Sequence, residues 1–100
     1  MAKVVITKTA QLEYLSIVNY LEGALGSSQA AHNFKQEFRV QMMQLRDMPE
    51  LFSVSAMPEL AAKSYRIVHI NNYLAVYKLK GDTVYVAHVF HQSQNYARCV

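Results

Sequence analysis

Two histidines near the end of the chain, His88 and His91, have the His-x-x-His spacing found in some metal sites. The residues around them alternate with a period of two, which predicts a β-strand. On a strand this spacing places the two imidazoles on opposite faces of the sheet, so they cannot bind one ion together. We therefore expect no metal site here, and we expect these histidines to be packed or hydrogen-bonded residues.

Cations and aromatic side chains in the last forty residues are the other candidates for chemistry. Residues 1–59 carry a net charge of −1, whereas residues 60–100 carry +4. A positive field of this kind attracts nucleic acids, acidic proteins or anionic membranes. The candidate residues are Lys63, Arg66, Lys78, Lys80, His91, Tyr96 and Arg98.

Three of these residues have the chemistry that RNA cleavage requires. The reaction needs a base for the 2′-OH proton, an acid for the leaving oxygen and a cation for the charge on phosphorus. His91, Tyr96 and Arg66 can supply such groups, and no metal or cofactor is implied. A simpler interpretation is that Arg66 and the lysines only keep sheet edges soluble and unpaired. The pattern by itself leaves both interpretations open.

The composition limits the class of protein. The chain has 100 residues, of which 52% are apolar and 17% charged, as expected for one folded domain spanning residues 1–100. Its one cysteine, Cys99, excludes an internal disulfide. No apolar run reaches the ~20 residues of a membrane helix, and the apolar stretch near the N-terminus is too short for a signal peptide. We therefore expect a cytoplasmic protein that contacts no membrane.

The elements that position these residues begin with a short strand and two helices. A β-branched stretch over residues 3–7 predicts the strand. Apolar residues from Ala10 to Leu25 then recur at helical spacing, and Gly23 and Gly26 end that helix. A second amphipathic helix runs from about Ser28 to Asp47. Because the connection is short, we expect an antiparallel helical hairpin.

The second half of the chain predicts strands. Residues 49–63 contain both prolines and show no period, which indicates a loop. Residues 65–70, 73–80 and 83–90 then alternate with a period of two, and Asn71-Asn72 and Gly81-Asp82 separate them as tight turns. The order β-α-α-β-β-β predicts an α+β fold in which the helical hairpin packs on a small antiparallel sheet. The position of the first strand in that sheet stays open.

The order and spacing of several segments resemble one protein family. These segments are Val4-Val5-Ile6-Thr7, Ile17-Val18-Asn19-Tyr20-Leu21, Ala30-Ala31-His32-Asn33-Phe34, Leu45-Arg46-Asp47-Met48-Pro49, Tyr65-Arg66-Ile67, Asn72-Tyr73-Leu74-Ala75-Val76-Tyr77-Lys78, Gly81-Asp82-Thr83-Val84-Tyr85-Val86 and Val89-Phe90-His91. Together they resemble the RelE/ParE superfamily of bacterial type II toxins, over nearly the whole chain. The resemblance implies a toxin that a cognate antitoxin neutralises, with the same α+β fold.

The two branches of the superfamily imply different targets. A ParE-like toxin binds DNA gyrase, and its contacts to target or antitoxin here would include Lys63, Arg66, Lys78, Lys80, His91 and Arg98. A RelE-like toxin cleaves mRNA on the ribosome, and His91, Tyr96 and Arg66 would then be catalytic. RelE-like chains usually carry a catalytic arginine where this sequence has Leu74, and ParE-like chains often carry an arginine near Gln94. We favour the ParE-like branch. The alternatives are a RelE-like ribonuclease and a degenerate toxin that only binds its antitoxin.

Overall fold

A computed structural model describes residues 2–52, 54–55 and 57–94 of the chain. Strand β1 (Lys3–Ile6) leads into helix α1 (Lys8–Asn19), which continues as a π-helical turn (Tyr20–Ala24). Helix α2 (Ser28–Asp47) follows, and then a one-turn helix α3 (Pro58–Ala61). The chain ends in strands β2 (Arg66–Ile70), β3 (Tyr73–Lys80) and β4 (Thr83–His91). The α+β fold with a helical hairpin on a sheet is confirmed.

The sheet has the strand order β1-β4-β3-β2. Strands β2, β3 and β4 form the predicted antiparallel meander. Strand β1 pairs with β4 in parallel, with Lys3 opposite Thr83 and Ile6 opposite Val86. The sheet is therefore mixed, because α1 and α2 carry the chain across one face before the meander begins.

Local signals explain where the helices begin and end. The Thr7 hydroxyl accepts a hydrogen bond from the Ala10 N–H, and the Ser27 hydroxyl accepts one from the Ala30 N–H, so both helices start at capped positions. Gly26 adopts a left-handed backbone with φ 66°, which reverses the chain between the two helices. The predicted loop over residues 49–63 contains α3 and a single β-bridge from Val54 to Arg66.

Both tight turns of the meander occur as predicted. Ile70 pairs with Tyr73 and Lys80 pairs with Thr83, which leaves two residues in each turn. The first residue of each turn, Asn71 at φ 55° and Gly81 at φ 61°, has the positive φ that asparagine and glycine tolerate best.

The two faces of the sheet carry separate apolar clusters. The main cluster lies under the helices and contains buried Ala10, Phe34, Leu45, Tyr77 and Val86, among others. A smaller cluster covers part of the opposite face, which we call the outer face. It consists of Leu60 from α3 and of Leu74, Val76 and Phe90 from the sheet.

A β-bulge in β4 changes which side chains share a face. Tyr77 pairs with Val86 but Val76 pairs with His88, so Ala87 is an extra residue without a partner on β3. Regular alternation predicts Phe90 on the same face as Val86, and Val89 on the other. In the structure Val89 belongs to the main cluster and Phe90 to the outer one, so this detail of the prediction is wrong. A single inserted residue reverses the alternation that follows it.

Candidate functional site

Arg66 on β2 and His91 on β4 both face the helices, but they lie beside opposite ends of the central strand β3. Arg66 pairs with Tyr77, and His91 pairs with Tyr73, four residues earlier on the same strand. At roughly 3.3 Å per residue, their backbones are about 13 Å apart along the strand. Two of the three side chains that the RNA-cleavage hypothesis combines therefore do not meet. Tyr96 and Arg98 lie outside the described residues.

Arg66 holds a loop to the sheet. Its Nη1 donates a hydrogen bond to the carbonyl oxygen of Phe52 at 2.5 Å. Its charge also lies near the buried phenol of Tyr77, where it partly opposes the burial that raises the pKa of Tyr77 to about 12. Arg66 is half-buried. Because its guanidinium is bonded to the loop, its main role is structural, and it is less available to bind a phosphate.

Lys78 and Lys80 lie on the outer face, away from Arg66 and His91. The Lys78 ammonium is 4.5 Å from the centre of the Tyr65 ring, a cation–π contact. Lys63 is exposed between α3 and β2. The predicted basic surface therefore divides between the two faces of the sheet.

His91 is held in a defined orientation at the end of β4. The backbone N–H of Ser93 donates to Nδ1 at 3.1 Å, and the Ser93 hydroxyl oxygen lies 2.6 Å from the same nitrogen. The imidazole stands perpendicular to the Tyr73 ring, with their centres 5.1 Å apart. Because Nδ1 accepts the Ser93 N–H, a neutral ring carries its proton on Nε2.

His91 lines a polar groove, which we call the turn groove, between the helical hairpin and the β2–β3 turn. Its volume is about 1110 Å³. Burial, reinforced by the nearby Tyr20, raises the pKa of Tyr73 in its wall, so that phenol stays protonated at neutral pH. Amide side chains dominate its polar lining, which includes Asn33, Gln36, Asn71, Asn72 and Gln94 together with Ser16, Glu37 and His91. The groove can therefore donate and accept hydrogen bonds along an extended segment.

A second groove, which we call the basic groove, lies along α2. Its volume is about 880 Å³, and its lining includes His32, Lys35, Arg39 and Arg46 but no acidic residue. Arg46 has a carboxylate partner in its exposed neighbour Asp47, at 3.4 Å. The apolar part of the lining consists of Val4, Ile6, Tyr14, Leu15, Phe38, Met42 and Met43. An apolar floor with a basic rim fits a segment that is apolar on one side and acidic on the other.

Exposed apolar side chains continue from both grooves over the hairpin. Leu15 is 53% exposed and Met43 is 48% exposed at the basic groove, while Tyr20 and Leu25 are each 54% exposed at the turn groove. The prediction that Leu25 continues the buried stripe of α1 is therefore wrong, because the π-helical turn carries it outward. Exposed apolar side chains concentrated in this way mark an interaction surface.

The basic groove was missed because charge was summed over halves of the chain. Lys35, Arg39 and Arg46 lie in the half that has a net charge of −1. Their spacing of four and then seven residues nevertheless places them on one face of a helix. A charge count along each helix face would have found them.

Metal ligands do not cluster in the part of the chain that the structure describes. It contains no group of three or more histidine, cysteine, aspartate or glutamate residues that could hold a metal ion. His88 stacks on Phe90 on the outer face, whereas His91 contacts Tyr73 on the other face. None of the described helices is both long and apolar enough to cross a membrane.

Comparisons with known proteins agree with this architecture. A family model described as the ParE toxin of the type II toxin-antitoxin system, parDE, matches residues 4–96. No curated protein sequence matches the chain. The fold resembles a structure of the chromosomal ParDE toxin-antitoxin system from P. aeruginosa, at 16% identity and a TM-score of 0.71, over 91% of this chain and 96% of that one. It also resembles a copper-bound mutant toxin from Helicobacter pylori, at 17% identity and a TM-score of 0.61, over 93% of this chain and 97% of that one.

The two solved structures establish a shared fold, and the match to the family model shows the family to which the chain belongs. It spans nearly the whole sequence, and it includes all but the first residue of β1, the hairpin and the complete meander. The predicted resemblance to the RelE/ParE superfamily is thereby confirmed on its ParE-like side. The chain therefore belongs to the ParE toxin family and is the toxin component of a type II toxin-antitoxin system.

Proposed function

We propose that this toxin arrests growth in the cytoplasm by binding DNA gyrase, and that its cognate antitoxin silences it by occupying the basic groove. Membership of the ParE family is the observation that carries the proposal of gyrase. Target contacts in this proposal come from the end of β4, with His91 and Gln94 at the turn groove and Arg98 beyond the described residues.

The position of Leu74 supports a binding toxin over a ribonuclease. RelE-like chains carry an arginine there, but Leu74 is 1% exposed and packs with Leu60, Val76 and Phe90. The hydrocarbon side chain completes an apolar cluster on the outer face, on the side of the sheet opposite His91. A missing transition-state cation typically costs ~10²- to 10³-fold in rate.

The proposed site for the antitoxin rests on charge and apolar area. Lys35 and Arg39 form no ion pair with any described residue. An acidic amphipathic segment of the antitoxin would neutralise both while it covers Leu15 and Met43. The exposed methionine adds a flexible, polarisable surface that adapts to a partner side chain.

A supercoiling assay tests the target. Purified toxin in excess should stop purified gyrase from supercoiling relaxed plasmid, and equimolar antitoxin should restore the reaction. Normal supercoiling in excess toxin contradicts the proposal. Cleavage of mRNA on translating ribosomes would instead identify the ribonuclease, and harmless expression in cells would identify a degenerate toxin.

A further inference from the structure

The outer face of the sheet carries a lysine-rich surface around one exposed tyrosine. Tyr85 on β4 pairs with Lys78 on β3, and the neighbouring Thr83 lies between Lys80 on β3 and Lys3 on β1. At about 4.8 Å between strands, the backbones of Lys80 and Lys3 are about 10 Å apart, and those of Lys78 and Lys80 are about 7 Å apart along β3. Tyr85 is 38% exposed beside this group.

The three lysines of this surface form no ion pair within the described part of the chain. Neither ion pair there, Arg46–Asp47 or His88–Glu13, includes Lys3, Lys78 or Lys80. The Lys78 ammonium lies over the Tyr65 ring, on the side of β3 away from Tyr85. Asp82 is the nearest acidic residue in sequence and lies in the exposed β3–β4 turn. The exposed Lys3 and Lys80 and the half-buried Lys78 therefore make this face positive beside Tyr85, with one carboxylate at its edge.

We propose that this outer face binds a single-stranded nucleic acid, with phosphates on the three lysines and a base stacked on Tyr85. Lysines provide the phosphate contacts, and an exposed ring provides the stacking surface that unpaired bases require. A duplex fits less well, because its bases are paired and stacked inside the helix and offer no free face to Tyr85.

This binding goes beyond inhibition of gyrase and does not depend on it. The basic groove lies among the helices, and the lysine-rich surface lies on the opposite side of the sheet. An antitoxin segment in the basic groove therefore leaves Tyr85 accessible. The proposal is tested without gyrase or antitoxin, so its failure leaves the proposed function untouched.

Fluorescence anisotropy with labelled twelve-residue oligo(dT) and oligo(U) is the direct experiment. We expect saturable binding to at least one of them, with a slope of log affinity against log salt of about −2 for three phosphate contacts. Y85A should bind about 5- to 100-fold more weakly, because one stacked base is lost, whereas Y85F should bind like the wild type because it keeps the ring.

A pair of charge-matched variants separates local contact from net charge. K80Q should reduce the magnitude of the salt slope by about 0.7. K8Q removes the same charge at the exposed start of α1, at the far end of β1 from Lys3, and should bind like the wild type. Circular dichroism confirms that each variant is folded.

Four results would overturn the proposal. The first is that neither oligomer binds saturably at 100-fold excess of protein over probe, and the second is that a duplex of the same length binds equally well. The third is that Y85A and Y85F bind with equal affinity, and the fourth is that K8Q and K80Q lose equal affinity.

Discussion

Glu13 in α1 and His88 in β4 are joined across 75 residues of sequence, with Oε2 of the carboxylate 3.2 Å from Nδ1 of the imidazole. The other carboxylate oxygen accepts the backbone N–H of Val89 at 3.0 Å. Strand β1 ends at Ile6, opposite Val86, so the edge of β4 beyond that point has no strand partner among the described elements. Glu13 takes the place of that strand and ties α1 to the sheet.

Removing this carboxylate should destabilise the protein. Glu13→Ala leaves the Val89 N–H without its acceptor and His88 without its charged partner, both in a half-buried setting. We expect the free energy of unfolding to fall by about 1–3 kcal/mol, measured by urea denaturation at neutral pH. Glu50→Ala removes an equal charge from an exposed turn and should change it by less than about 0.5 kcal/mol. Equal effects of the two variants would contradict a specific role for Glu13.

The buried hydroxyl of Tyr77 should make the protein sensitive to alkali. It has no close hydrogen-bond partner among the described residues, and burial, only partly offset by Arg66 and by the backbone of Phe52, raises the pKa of Tyr77 to about 12. The unfolded chain releases this proton near pH 10, whereas the folded chain keeps it until about pH 12. The unfolded state therefore binds fewer protons in that window, and the free energy of unfolding falls as pH rises, by up to roughly 2 kcal/mol.

Tyr77→Phe isolates this effect. At pH 8 the variant should be as stable as the wild type or more stable by up to about 1 kcal/mol, because an unpaired buried hydroxyl is removed. Its loss of stability between pH 8 and pH 11.5 should be smaller than that of the wild type. Denaturation midpoints at the two pH values measure the difference. A variant destabilised by more than about 1 kcal/mol at pH 8 would show that the hydroxyl has a favourable partner.

Restoring an arginine at position 74 should not create a ribonuclease. Leu74 is 1% exposed within the outer cluster, so Leu74→Arg places a guanidinium among Leu60, Val76 and Phe90. We expect the free energy of unfolding to fall by more than about 3 kcal/mol, with no mRNA cleavage on translating ribosomes. Leu74→Met keeps volume and polarity and should cost less than about 1.5 kcal/mol. Cleavage of mRNA by the arginine variant would contradict the binding mechanism.

Charge reversal in the basic groove should weaken the antitoxin complex. Arg39→Glu puts a carboxylate beside the proposed acidic segment, and we expect at least a 10-fold loss of affinity, or about 1.4 kcal/mol. Titration calorimetry with the cognate antitoxin measures it, and the loss should shrink at high salt. Lys8→Glu reverses a charge outside both grooves and serves as the control. Wild-type affinity in Arg39→Glu would remove the basic groove as the antitoxin site.

Local chemistry determined most of the fold. Helix α2 runs over the predicted residues, Ser28–Asp47, because its apolar period and its serine cap are encoded within one segment. The turns at Asn71-Asn72 and Gly81-Asp82 are local in the same way, because few residues tolerate positive φ. The resemblance of ordered segments to the toxin superfamily was likewise visible in the sequence alone.

Tertiary structure decided the features that depend on distant residues. The parallel pairing of β1 with β4, the bulge at Ala87 and the bond from Glu13 to His88 each join segments that no local period connects. The predicted basic residues lie on two different faces of the sheet for the same reason, because the face on which each cation lies depends on the register of strands that are distant in sequence. The sequence by itself therefore determined the elements, their order and the family. Only packing decided that Arg66 anchors a loop and that Lys78 and Lys80 lie apart from His91, because a side chain's neighbours across a sheet are set by long-range pairing.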